Sequence, residues 1–115
     1  MHQFEKIEVW KRSCSLAVEI YEALKDCRDY AYKDQMLRSS LSIPSNIAEG
    51  SERHSSPDFI RFLRYSKGSS AELRTQVYIA AKVGILTLDQ AQSIASETIE
   101  ISKILEGFIQ SLKAI

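Results

Sequence analysis

Few side chains in this chain are of a type and spacing that could do chemistry. Glu49 and Glu72 are carboxylates in polar surroundings, His2 and His54 are the two imidazoles, and Cys14 and Cys27 are the two thiols. A metal centre in a helical core usually draws on Glu-x-x-His pairs from two helices, and neither histidine stands in that spacing. Nucleophilic catalysis needs a hydroxyl or thiol beside a base that an acid orients. Serines abound, but no histidine is placed by the sequence near an acidic partner. The thiols are 13 residues apart on one helical stretch, roughly 20 Å at 1.5 Å per residue, which is beyond disulfide reach. No catalytic residue, cofactor, metal site or small-molecule substrate is expected. Glu49 and Arg53, four apart, suit an ion pair on one helix face. Arg38 or Asn46 is placed to satisfy Glu72 across a helix interface, so these groups read as a structural network.

A second chemistry is electrostatic. Between Ser56 and Gly84 stand Arg61, Arg64, Lys67, Arg74 and Lys82 against Asp58 and Glu72, a local surplus of three positive charges. On a helix these five and Tyr78 fall within roughly 140°, taking 3.6 residues per turn. Such a stripe suits tracking a phosphate backbone, with Tyr78 available to stack on a base. The plainer reading is a solvated face paired with acidic residues of the first and last helices.

Four helices must position these groups. The first runs from about Glu5 to Leu24, with Ile7, Trp10, Cys14, Ala17, Tyr21 and Leu24 recurring at spacings of three and four as a seam. A second row, Val9, Leu16, Ile20 and Cys27, widens the apolar arc. The second helix spans about Asp34 to Glu52 around Met36, Leu37, Leu41, Ile43, Ile47 and Ala48. Pro44 inside it removes a donor and crowds the Ser40 carbonyl, so a kink is expected there, with nearby serine hydroxyls serving the loosened backbone. The third opens with Ser56 as cap, then Pro57 and Asp58, and closes at Gly84 in a left-handed cap. Its seam is Phe59, Phe62, Leu63, Ser66, Ser70, Leu73, Val77 and Ala81. Gly68, mid-helix, predicts the close approach of another helix, since glycine there costs about 1 kcal/mol relative to alanine. The fourth begins with the capping box Thr87-Leu88-Asp89-Gln90 and carries Ala91, Ile94, Ala95, Thr98, Ile101, Leu105, Phe108 and Leu112 as its seam. Ile104 and Ile109 widen that arc as well.

Short links between long helices predict an all-α, antiparallel up-down-up-down four-helix bundle with a Pro-kinked second helix, one domain over residues 1–115. Helices one and four carry more apolar surface than one seam needs, which points to a homo-oligomer. Fifteen basic and fifteen acidic residues cancel, which counts against a dedicated nucleic-acid binder. No signal-peptide layout or apolar run of the ~20 residues that span a bilayer is present, so a cytoplasmic protein with no membrane association is expected.

One stretch is dense in motif residues: Leu41-Ser42-Ile43-Pro44-Ser45-Asn46-Ile47-Ala48-Glu49-Gly50, followed by Arg53, Phe59-Ile60-Arg61-Phe62-Leu63 and Gly68-Ser69-Ser70-Ala71-Glu72-Leu73. With Phe4 and Val9-Trp10 ahead of it, this combination resembles the four-helix-bundle family first met in the intervening sequences of bacterial large-subunit ribosomal RNA genes, to which an accessory protein of diversity-generating retroelements is related. The chain departs from the family pattern after helix one, where Cys27-Arg28-Asp29-Tyr30 and Gln35-Met36-Leu37 replace a Pro, acidic, Gly-Leu sequence. The resemblance implies antiparallel bundles assembled as rings of five, no catalytic activity, and association with RNA or with a nucleic-acid-handling protein. The alternative is a purely protein-binding oligomeric scaffold.

Overall fold

The computed structural model describes residues 3–115; His2 lies outside the described residues. A short 3-10 turn, Phe4–Lys6, precedes four helices: α1 Glu8–Ala23, α2 Tyr30–Ser51, α3 Ser56–Lys82 and α4 Leu88–Lys113. There is no strand among the described residues, and the molecule is a rod of 45 × 20 × 19 Å.

Local chemistry sets the ends. Ile7 is extended and has no side-chain acceptor, so it separates the 3-10 turn from α1, and the first helix begins at Glu8 rather than Glu5. Phe4 packs edge-on against Trp10 across that break, ring centroids 5.2 Å apart. Helix α2 starts four residues earlier than the apolar pattern indicates. Asp29 caps it by accepting from the Tyr32 amide at 3.2 Å, which draws Tyr30 and Tyr32 into the first turn. The cap of α3 is Ser55, one residue before Ser56, with its hydroxyl accepting from the Asp58 amide. The Thr87–Gln90 capping box closes reciprocally, at 2.9 and 3.1 Å, and Gly84 sits at φ +82°.

Helix α1 packs on α2 and α4, and α3 packs on the same two helices, so each pair of non-neighbours is diagonal. Along α2 and α3 the contacts link Tyr32 to Gln76, Ser39 to Glu72, Ile43 to Ser66, and Gly50 to Phe59 and Phe62. Residue numbers fall on one helix as they rise on the other. The α3–α4 pairs Lys67–Glu106 and Ser70–Ser102, and the α1–α4 pairs Arg12–Glu97 and Glu19–Ser93, follow the same rule.

The core is a column of fully buried side chains that includes Leu16, Ile20, Met36, Ile43, Ile47, Leu63, Leu73, Ile94, Ile101, Leu105 and Ile109. The buried side of α1 is Val9, Ser13, Leu16, Ala17 and Ile20, continued by the cap residue Leu24, so it takes Val9, Leu16 and Ile20 from the second apolar row and Ala17 and Leu24 from the first. The rest of the first row lies further out: Tyr21 is 61% exposed, and Ile7, Trp10 and Cys14 are half-buried. On α4 Ile109 is buried while Phe108 lies at the edge of the core against Phe59.

The close helix approach expected at Gly68 occurs at another glycine. Gly68 is exposed, and a methyl group there would meet nothing within 4 Å. The close helix approach occurs at Gly50, where an added Cβ would stand 2.7 Å from Phe62 Cβ and 2.9 Å from the Phe59 ring. Helix α2 continues through buried Pro44 as one element. Its hydroxyls bond backward to carbonyls, Ser39 to Gln35, Ser40 to Leu37 and Ser42 to Arg38.

Candidate nucleic-acid interface

The basic residues of α3 divide by whether the fold occupies them. Lys67 donates to Glu106 of α4 at 2.7 Å, and this contact holds the Glu106 carboxyl below its ordinary range, with Gln110 adding a second donor. Arg61 pairs with Asp58 at 3.1 Å on its own helix. Arg64, Arg74 and Lys82 form no ion pair among the described residues. The reading of a face paired with the first and last helices thus holds for one of the five cations, Lys67, while Arg61 is paired within α3 itself. Glu97 of α4 is engaged elsewhere, taking a two-point contact from Arg12 of α1 at 2.7 and 2.8 Å.

Tyr78 is 53% exposed. Beside it lies a groove of about 320 Å³, floored by Ala81 and Ala91 and edged by Lys82 and Leu88. An aromatic ring, an ammonium group and an apolar slot side by side can take the face of a base and its phosphate. The helical-wheel reading passed over a second aromatic group. Tyr65 is exposed and meets Phe62 edge-on at 5.5 Å, while the guanidinium groups of Arg53 and Arg61 lie over the Phe62 ring at 4.6 and 5.2 Å. Nothing in the spacing reveals that cluster, because Arg53 lies in the link after α2 and reaches Phe62 only once that link turns the chain back into α3.

The remaining motif residues are structural and mostly local. Glu49 accepts from Arg53 at 3.2 Å, the expected i,i+4 pair. Arg38 does not reach Glu72; it pairs with Asp34 one turn before it, at 2.9 Å. Asn46 does not reach Glu72 either, and donates to the Ser42 carbonyl. The donor to Glu72 is Ser39, at 3.1 Å. Because Glu72 faces Ser39 while Glu49 is ten residues further along α2, the two carboxylates stand roughly 15 Å apart at the helical rise and form no acid–base pair. Among the described residues no group of three or more His, Cys, Asp or Glu is arranged to hold a metal, and no helix is long and apolar enough to cross a membrane.

Apolar surface remains uncovered on α1 and α2. Val18, Tyr21 and Leu41 are each more than half exposed, and with Cys14, Ala17 and buried Pro44 they line a groove of about 280 Å³. Partial burial raises the Cys14 thiol above its ordinary pKa. Both cysteines are free.

Fold and surface together define a four-helix bundle that presents a partly unneutralised basic helix on one side and an open apolar flank on another. The chain belongs to the family of 23S rRNA-intervening sequence proteins, whose model matches residues 5–107. It is similar to a Bacteroides thetaiotaomicron protein of unknown function from the S23 ribosomal protein family, known from a crystal structure at 1.70 Å resolution. The two are 30% identical, with a TM-score of 0.82 over 88% of this chain and 97% of that one. No curated protein matches the chain at a significant level.

Proposed function

We propose that the protein is a non-enzymatic, cytoplasmic homo-oligomer that binds structured RNA through α3. The reading is supported by the family, whose description refers to 23S rRNA, and it is carried by one observation: Arg64, Arg74 and Lys82 share a helix face with exposed Tyr78 and have no ion-pair partners within the described chain. Cations held by carboxylates must lose those partners before they neutralise phosphates, whereas these three need only release counterions. A ring of five, as the family resemblance implies, would repeat the face around an axis and convert weak single contacts into useful affinity. The open Val18–Tyr21–Leu41 flank supports association of copies, because contiguous exposed apolar surface marks interaction sites.

The experiment is a titration of the protein with a structured fragment of large-subunit ribosomal RNA at several salt concentrations. The triple variant Arg64→Ala, Arg74→Ala, Lys82→Ala should flatten the slope of log K against log salt by about 2 to 3, at ~0.7–0.9 per phosphate contact. Arg12→Ala, on helix α1, which does not pack on α3, should leave the slope unchanged. Equal affinity in the triple variant and the parent would remove α3 as the interface. Binding of a protein after nuclease treatment, without RNA affinity, would instead favour the purely protein-binding scaffold.

A further inference from the structure

A groove of about 600 Å³ lies between α2 and α3, away from the basic stripe and lined by Asp34, Arg38 and Ser39 on one side and Glu72 and Gln76 on the other. Its hydrogen-bonding capacity is unbalanced. The Ser39 hydroxyl has one proton and stands 3.1 Å from both the Gln35 carbonyl and Glu72 Oε1, so it cannot fully serve either. Glu72 has no cationic partner among the described residues, and the one cation lining the groove, Arg38, is held by Asp34. Gln76 Oε1 is buried without any hydrogen-bond partner. An unmet buried acceptor is costly, and this one sits at the end of a side chain whose terminal torsion is soft. The backbone beneath is fixed, because the Tyr32 hydroxyl donates to the Gln76 carbonyl at 2.5 Å.

An anion is poorly suited to this groove, since it would meet Glu72 and Asp34 while Arg38 is already engaged. A group with several N–H donors, a positive charge and no acceptor fits it well. We propose that the α2–α3 groove binds a guanidinium group, carried either by a small free cation or by an arginine side chain of a protein. Glu72 supplies the charge-assisted contact, and Gln76 rotates its amide so that the orphaned oxygen meets a second N–H. The planar fork of a guanidinium spans two acceptors in a way a compact ammonium does not.

The test is a titration of the ¹⁵N-labelled protein with methylguanidinium, with tetramethylammonium as a cation that lacks N–H donors. Saturable shifts of the Gln76 side-chain amide and the Ser39 backbone are expected with the first and not with the second. Glu72→Gln is nearly isosteric at an exposed position, so it should fold as the parent does while weakening binding by about tenfold, the value of one charge-assisted bond. A second arm compares methylguanidinium with a short arginine-containing peptide. Tighter binding of the peptide assigns the site to a protein side chain, and equal binding assigns it to a small cation; either result upholds the groove as a guanidinium site. Shifts that fail to saturate, that tetramethylammonium reproduces, or that saturate with unchanged affinity in Glu72→Gln would overturn it.

Discussion

The α2–α3 seam and the outer flank of α1 are built from similar apolar residues, yet the fold treats them in opposite ways. Much of the seam is set by specific contacts. Gly50 admits Phe59 and Phe62 to direct contact, the Ser66 hydroxyl donates to the Ile43 carbonyl at 2.8 Å, and the Tyr32 hydroxyl reaches the Gln76 carbonyl. Helix α1 is attached along one side, and its exposed side is tied down by surface contacts such as Arg12–Glu97 and Ser93–Glu19. Its Val18 and Tyr21 face outward with Leu41. Packing that leaves no room for change belongs to a structural core. Apolar surface left open belongs to a contact that the single chain does not make.

That contrast breaks first at Leu73, which is fully buried on α3. Leu73→Ala should lower the unfolding free energy by roughly 2–5 kcal/mol, the usual range for a buried leucine, measured by urea denaturation. A variant as stable as the parent would mean that α3 is rotated from the position described. Gly50→Ala comes next. Its methyl group would stand 2.7 Å from Phe62 Cβ, which cannot swing away because it is the first atom of its side chain. Overpacking of this kind costs about 1–3 kcal/mol. Gly68→Ala is its counterpart. With nothing within 4 Å of the added methyl, the variant should gain up to ~1 kcal/mol from helix propensity. If Gly68→Ala instead destabilises or dissociates an oligomer, the bare backbone at that position is covered by another copy.

Several of these features were legible in the sequence. The Thr87–Gln90 box, Pro57 with Asp58, and Gly84 mark helix ends through chemistry confined to four or five neighbouring residues, and the structure places them there within one residue. The start of α2 was harder, because Asp29 acts as a cap only once Tyr32 is anchored on α3. Which residues of its two apolar rows α1 buries, and which of Gly50 and Gly68 meets a neighbouring helix, depends on the partner surface, and periodicity carries no information about that. The stripe on α3 was visible as a face of a wheel. Its division into paired and unpaired cations depends on where α4 brings Glu106 and on which residue Glu97 has already engaged.

The smallest effect on folding, and the most informative about the flank, is expected at Tyr21 and Cys14. Tyr21 is largely exposed, so Tyr21→Ser should change the stability of a single chain by no more than about 0.5 kcal/mol, as surface substitutions usually do. Light scattering should nevertheless report a lower mass if the flank joins copies of the chain. Cys14 lines the same groove and supplies an independent probe. Burial raises its thiol above the ordinary value, so a smaller fraction is thiolate at a given alkaline pH than for a free cysteine, and alkylation should keep accelerating with pH after a free thiol has levelled off. A neighbouring copy seated on the groove would slow that reaction further as protein concentration rises, and Tyr21→Ser should remove the concentration dependence while leaving the pH dependence in place. An alkylation rate independent of concentration in the parent, together with an unchanged mass in the variant, would place the contact between copies on another face.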